Sequence, residues 1–377
     1  MGERLGWIDA LRGYAAGVVL LFHLGPWILG TETHLAIFRV LDLGKYAVLL
    51  FFLVSGYLIP ASLERHGSLR RFWITRLFRI YPVYLAAIAA LVVTSAGVPP
   101  VLRSVSGLLG HATMLTDLLG LRGALRPFWT LTYEMVFYLV VAGLFAWRLH
   151  RHSAVVAGGL AVAAMLPLPG VLLGRRIAVG LAAVTLLVVV AGLTRRHTRT
   201  AGAAGLLLVA LVAVNVPGGG GTVTSSRQGL MLIATMFAGA ALRSPRSLPA
   251  LGLVALGLTT VVQPAVVVAV VVTFAAFFAL RERPMPRALT ALGAISYSLY
   301  LTHIVVLQAF ARFLPGVAER PFLVRGVATA ACAVCALAAA RCAYVWIERP
   351  MHLLGHRIGT QRAAPRTARR VNGTRSV

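Results

Sequence analysis

The sequence predicts an all-α polytopic integral membrane protein of 10 to 12 transmembrane helices, with N- and C-termini cytoplasmic. Three observations carry that prediction. Of 377 residues, 59% are apolar and only 12% are charged, whereas a soluble domain carries about a quarter charged residues; the mean hydropathy is +0.85. Apolar runs of about twenty residues, the length a helix needs to cross the hydrocarbon core, recur along the chain. Between those runs the charge is almost wholly arginine: Lys and Arg number 36 against 10 acids, and Lys45 is the lone lysine. A net charge of +26 invites a nucleic-acid reading, but that needs a basic stripe on a folded soluble surface. Arginines set between apolar runs instead mark the cytoplasmic side of a membrane, so the expected partner is membrane lipid and no nucleic acid.

The first run, 10–29, is too long for a signal-peptide core and lacks a small-residue cleavage site, so it is expected to stay in the membrane. Further runs lie at 43–62, 80–97, 128–147, 154–173, 177–194, 201–217, 228–242, 288–311 and 323–347. As one helix the stretch 249–280 would measure about 48 Å, too long for one crossing. With Pro264 in its middle, it reads as two short helices or one kinked helix. The segment 101–121 mixes Arg103, His111 and Asp117 into apolar sequence and reads as an outer loop or half-inserted helix. Cys332, Cys335 and Cys342 share one apolar run and one helix face; with no histidine or carboxylate in that run, small interface residues are the better reading and no metal is expected.

Sidedness follows from the arginines. Between the second and third runs Arg65, Arg70, Arg71, Arg76 and Arg79 face Glu64 alone, which puts that connection, and with it the N-terminus, inside. Alternation then places Arg148 and Arg151, Arg195, Arg196 and Arg199, and Arg243 and Arg246 inside, and the glycine loop 217–221 outside. Residues 1–350 form the membrane domain on this reading. Residues 351–377, with Arg357, Arg362, Arg366, Arg369, Arg370 and Arg375 and no acid, read as a basic, disordered cytoplasmic tail. A cytoplasmic tail requires an even number of crossings: twelve if 249–280 is a hairpin, ten if two weak runs are re-entrant.

Ionisable groups inside spans are costly and mark function by default. Arg12 and His23 are eleven residues apart, three helical turns plus about 20°, so both point to one face with His23 about 16 Å deeper. Asp9, three residues before Arg12, is placed to pair with it. Alone, His23 would read equally as a neutral packing donor. Ser55 and Gly56 lie in an aromatic setting; close helix approach is the simpler reading of both, and no nucleophile elbow surrounds Ser55. Arg76 and Arg79 share a face at the start of the third run, where guanidinium forks suit phosphate oxygens and also serve as membrane anchors. Glu134 is the carboxylate set well inside a run, either paired with an arginine or aligned with His23 as acid/base partner. Tyr297, Tyr300 and His303 recur at intervals of three. Glu348 and Arg349 close the last run as a structural pair.

These residues fall in six motifs: ID-LRG-AA with R-x10-H (Ile8 to His23), FF-x2-SGY-LI (Phe51 to Ile59), R-x2-R-IYP-x-Y (Arg76 to Tyr84), W-x-L-x2-E-x2-FY (Trp129 to Tyr138), SYS-x-YL-x-H (Ser296 to His303) and E-x-P (Glu348 to Pro350). In that order the chain resembles the acyltransferase family 3 membrane proteins, which O-acylate carbohydrates and other hydroxylated acceptors. The resemblance implies an enzyme of the cell membrane that uses acyl-CoA, acetyl-CoA for an acetyl group, as co-substrate on the cytoplasmic side, with no bound cofactor. It carries the catalytic pair onto Arg12 and His23, and a functional role onto Arg76 and Arg79. One departure is that the family's Asp shortly before the second motif is Leu49 here. The roles expected are His23 as general base or transient acyl carrier, Glu134 as its orienting partner, and Arg12, Arg76 and Arg79 for CoA phosphates. Tyr300, His303 and Ser55 are expected at the acceptor or oxyanion. A transporter using the same polar groups as a permeation path is the alternative; it predicts pseudo-symmetric halves, which the sequence does not display.

Overall fold

The computed structural model describes residues 6–95, 97–168, 173–194, 198–215 and 223–361, and among them every regular element is helical. In order these are α1 (Gly6–Leu29), α2 (Thr31–Val40), α3 (Leu43–His66), α4 (Leu69–Thr94), α5 (Val105–Thr113), α6 (Trp129–Ala146), α7 (Ser153–Met165) and α8 (Arg175–Thr194). They are followed by α9 (Thr198–Asn215), α10 (Ser226–Ala241), α11 (Leu248–Leu258), α12 (Pro264–Ala279), α13 (Arg287–Ala294), α14 (Ser296–Phe313), α15 (Phe322–Ala343) and α16 (Arg349–Gln361).

Among the described residues five helical stretches, fewer than the ten to twelve crossings expected, are long and apolar enough to cross a membrane: α1, α3, α4, Arg126–Ala146 and Phe322–Thr360. The pair α13 and α14, bent by 73°, makes a sixth if it is one span. Each expected run returns at least in part as helix, though 154–173 is helical only to Met165 and 288–311 is broken at Ile295; three further adjustments have local causes. The stretch 249–280 is two helices, because Pro264 has no N–H to continue α11 and instead opens α12 at its first position. The third run begins eleven residues early, at Leu69: Gly67 ends α3 in the left-handed region at φ 61°, and Ser68 caps α4 by accepting from Arg71 N–H. Arg76 and Arg79 therefore ride well inside α4, on the helix face expected of them, rather than at its start. Finally, Arg349–Gln361 continues past a π-turn at Tyr344–Glu348 as α16 and packs along α4, so the first part of the expected disordered tail is an ordered helix. Residues 362–377, Arg195, Arg196 and the glycine loop 217–221 lie outside the described residues.

Glycines set the closest crossings. A Cβ on Gly56 would collide with the Met236 carbonyl, and one on Gly239 with the Leu53 carbonyl, so α3 and α10 meet backbone to backbone, as the small residues of the second motif led one to expect. Gly13 and Gly293 do the same for α1 and α13. The cysteines are less uniform than one shared face implies: Cys332 is buried among α1, α14 and α15, Cys335 is exposed, and all three are free thiols.

The segment 101–121 contains a short α5, capped by Ser104 accepting from Gly107 N–H, and a tight turn at Asp117–Leu119. It is fastened to α4 and α6 by buried polar contacts. Tyr84 Oη lies 2.6 Å from His111 Nδ1, Thr132 Oγ1 donates to Met114 O at 2.9 Å, and Tyr133 Oη donates to Asp117 Oδ2 at 2.7 Å.

Candidate active site

α3 delivers side chains to two cavities at its opposite ends. Lys45 and Arg65, twenty residues apart in one helix, stand about 30 Å apart along its axis. The cavity at the C-terminal end of α3, termed inner because the arginine distribution leads one to expect it on the cytoplasmic side, measures about 340 Å³. Arg12 of α1, Ser55, Ser62, Arg65 and His66 of α3, Arg76 and Arg79 of α4, Glu134 and Tyr138 of α6, Tyr297 and Tyr300 of α14, and His352 and His356 of α16 line it. The cavity at the N-terminal end, the outer cavity, measures about 640 Å³ and is lined by His23, Asp42, Lys45, Asp117, Arg122, Arg126 and Trp129 among others. Val48 and Tyr300 line both and so stand where the two meet.

In the inner cavity four arginines from three helices, Arg12 of α1, Arg65 of α3 and Arg76 and Arg79 of α4, converge against little acid. Arg12 is 4.0 Å from Asp9, the pairing expected from their spacing. Arg76 lies over the rings of Phe72 and Tyr138, with its guanidinium carbon 5.7 and 5.6 Å from their centroids. Glu134 accepts a short hydrogen bond from Tyr138 Oη and a long one, 3.5 Å, from Ser55 Oγ. Two buried atoms here, Arg76 Nε and Ser296 Oγ, have no hydrogen-bond partner, and a buried polar group without one is costly. An anionic, hydrogen-bonding occupant would satisfy both.

His23 lies on the other side of the junction. Its Nδ1 is 2.9 Å from Val19 O and 3.3 Å from His303 Nε2, while His303 Nδ1 is 2.9 Å from Leu299 O. A carbonyl only accepts, so each Nδ1 carries the proton. His303 Nε2 is then a lone pair directed at His23, and His23 Nε2 is left unprotonated on a residue that lines the outer cavity. The pair comes from α1 and α14, whose packing brings the rings to 4.9 Å between centroids. A histidine held in one tautomer by its neighbour, with its other nitrogen free, is arranged as a base.

The sequence-predicted residues therefore divide. Arg12, Arg76, Arg79, Ser55 and Glu134 stand together in the inner cavity, and His23 and His303 form a pair apart from them. The expected partnership of Glu134 with His23 is not what the geometry has: Glu134 is engaged by Tyr138 and Ser55, and the partner of His23 is His303. Tyr300 stands between the groups. Its hydroxyl is 3.0 Å from Thr130 Oγ1 and 3.2 Å from Pro127 O, and Thr130 Oγ1 is 3.0 Å from the same carbonyl. Both hydroxyl protons are committed in that triangle, so Tyr300 offers a fixed ring rather than a free donor to an oxyanion. Glu348 is buried and accepts from Ser298 Oγ at 2.6 Å rather than pairing with its neighbour Arg349.

Sequence reasoning missed His352 and His356, which the disordered-tail reading concealed although their spacing of four puts them on one helix face. It also missed the outer cavity's Asp42, Lys45, Asp117, Arg122 and Arg126, which no motif links. Asp42 caps α3 by accepting from Lys45 N–H at 2.9 Å, and it supplies a carboxylate seven residues before Leu49, where the family pattern led one to expect an Asp. Burial raises the Asp42 carboxyl and lifts Asp117 to about 6, against the hydrogen bond from Tyr133 that lowers it.

A family described as an acyltransferase domain has a model that matches residues 5–341. Among curated proteins, the chain is 30% identical over 146 residues to an acyltransferase, MdmB, of Streptomyces mycarofaciens, a match covering 36% of this chain and 38% of that one. It is 31% identical over 183 residues to Nodulation protein 10 of Rhizobium leguminosarum bv. viciae, covering 41% and 47%. It is 30% identical over 154 residues to peptidoglycan O-acetyltransferase OatA of Listeria monocytogenes, covering 35% and 23%. The chain thus spans less than half the length of each of these relatives. No solved structure matches it.

Proposed function

The chain belongs to the acyltransferase domain family, and from that membership we propose that it is an integral membrane enzyme moving an acyl group, acetyl in the simplest case, from acyl-CoA to a hydroxyl. The acceptor class is a carbohydrate, glycolipid or glycosylated metabolite. The observation that carries the proposal is the meeting of two cavities at Val48 and Tyr300, one rich in arginine and one holding His23 with a free Nε2. The arginines suit the donor, since guanidinium forks match phosphate oxygens and bind them by charge-assisted hydrogen bonds. His66, His352 and His356 add donors at the same mouth.

In this reading the donor's phosphates lie among Arg12, Arg76 and Arg79, and its thioester reaches the junction. The acceptor hydroxyl gives its proton to His23 Nε2 as its oxygen attacks the thioester carbonyl. The tetrahedral intermediate collapses with cleavage of the C–S bond, and the proton on His23 neutralises the departing thiolate. His303, with its lone pair toward His23 Nδ1–H, steadies the imidazolium formed on the way. Arg12 and His23, one face of one helix, thereby serve opposite ends of the reaction.

The arginine distribution supports a cytoplasmic inner cavity, cytoplasmic termini and ten to twelve crossings in the cell membrane. Acetyl transfer from labelled acetyl-CoA, measured in membranes carrying the protein, tests the proposal. His23→Ala is expected to lower the rate about a hundredfold to ten-thousandfold, the contribution of a positioned base, while acyl-CoA binding persists. Full activity in that variant would remove His23 from the chemistry. Absence of any acetyl transfer, with uptake of a solute into proteoliposomes, would favour a transporter.

A further inference from the structure

The outer cavity carries more positive charge than its own carboxylates neutralise. Asp42 pairs first with Lys45, with Nζ and Oδ2 3.8 Å apart, and feels Arg126 only as a weaker, longer-range charge, while Asp117 is buried under Tyr133 Oη. That leaves Arg122 and Arg126, which make no ion pair or hydrogen bond among the described residues. Both are exposed at the cavity rim. They stand on the side where the distribution of arginines leads one to expect few cations.

The backbone beneath them is fixed. Leu121 N–H donates to Thr116 O at 2.9 Å, Ala124 N–H to His111 Nε2 at 3.3 Å and Phe128 N–H to Leu125 O at 3.1 Å. Leu121, Leu125 and Phe128 are buried anchors, and the Pro127 carbonyl is held by Tyr300. Two guanidinium groups four residues apart are thus presented from an anchored strap, in a cavity of about 640 Å³ whose wall includes His23. Trp129, half-buried at the same wall, adds a flat apolar surface.

We propose that this cavity selects a hydroxylated acceptor that also bears an anionic group, a carboxylate or a phosphate ester, held by Arg122 and Arg126 so that a hydroxyl of the same molecule comes to His23 Nε2. The part concerning the hydroxyl rests on the acyl-transfer reading; the anion site stands on its own geometry. It adds to that reading a means of discrimination: a neutral analogue fills the cavity but leaves two cations unpaired.

The test uses the full chain in nanodiscs of phosphatidylcholine, with glucuronate and glucose 6-phosphate as anionic probes and glucose as the neutral one. Binding is titrated calorimetrically and located by protection of His23 from diethyl pyrocarbonate, read by mass spectrometry. At least one anionic probe is expected to bind about tenfold or more tightly than glucose, the scale of one charge-assisted hydrogen bond, and to protect His23. In a chain carrying both Arg122→Gln and Arg126→Gln, with an unchanged thermal midpoint, that advantage is expected to vanish while binding of glucose is retained. Equal binding of all three probes, no binding of any, or an undiminished preference in the double variant would overturn the proposal. So would protection of His23 by phosphatidylglycerol in the disc with none by the sugars, which assigns the arginines to lipid headgroups. Failure of acetyl transfer alongside intact anion binding would count against the acyl-transfer reading and leave the anion site standing.

Discussion

The two cavities differ in the way that a fixed and a variable partner would demand. The inner one is small, about 340 Å³, and its charged lining is dominated by arginines that project from α1, α3 and α4. The outer one is nearly twice as large, about 640 Å³, and mixes carboxylates, a lysine, arginines and a tryptophan carried partly on turns. Side chains rooted in packed helices hold one shape, while sites built on connecting segments change readily. On the function proposed above, the inner cavity takes the donor and the outer one the acceptor. The division of labour is then written in which backbone supports each cavity.

The comparison is broken most directly at the inner cavity. Replacing Arg76 and Arg79 together by alanine is expected to raise the donor KM about a hundredfold, since each charge-assisted contact is worth about 1.5 kcal/mol or more. Affinity for the acceptor should not move. An equal loss for both substrates, measured by steady-state kinetics, would mean that the cavities are one site. A smaller effect, about tenfold in kcat with KM unchanged, is expected for His303→Ala, because His23 loses the neighbour that fixes its tautomer. His303→Gln, which restores an acceptor, should recover part of it, and the pH profile should shift only in the alanine variant.

Smaller again is Tyr300→Phe, expected to change kcat by less than about threefold; the loss of one of two hydroxyls sharing the Pro127 carbonyl leaves that carbonyl bonded to Thr130. A collapse of activity would instead return Tyr300 to the oxyanion role. The smallest effect is on stability. Asp117 sits in the segment between α5 and α6 with its carboxyl lifted to about 6 by burial, above the unfolded value near 3.9. The folded chain therefore holds that proton more tightly. Its stabilising contribution is full below the unfolded pKa and is lost as pH rises through about 6. Asp117→Asn should remove that pH dependence of the thermal midpoint, a change of a few degrees at most.

Legibility in the sequence follows contact range. Helices within the apolar runs, the break at Pro264 and the Asp9–Arg12 pair depend on neighbours a few residues apart, and periodicity exposes them. The convergence of Arg12, Arg76 and Arg79 was accessible because a family pattern stands behind it. By contrast, the contact of His23 with His303 joins residues 280 positions apart, so both histidines stand out in their motifs while their pairing does not. Glu134 looked like the partner of His23 because it is the rare carboxylate in a span; its own helix supplies Tyr138 one turn away, which was there to be read. Arg122 and Arg126 escaped notice because a sequence this rich in arginine gives no single one prominence.

One feature at the junction bears on the host membrane itself. Between an arginine-lined opening and a polar vestibule along α3, Val48 and Tyr300 are the residues that line both, the Tyr300 hydroxyl being pinned at Thr130 and Pro127. A bilayer in which these helices sit is sealed by some 30 Å of hydrocarbon, and the two side chains at the meeting of the cavities stand where that seal is interrupted by protein. Removing both side chains, with Val48→Gly and Tyr300→Ala together, is expected to make proteoliposomes conduct protons or small ions, an electrical leak that the native pair prevents.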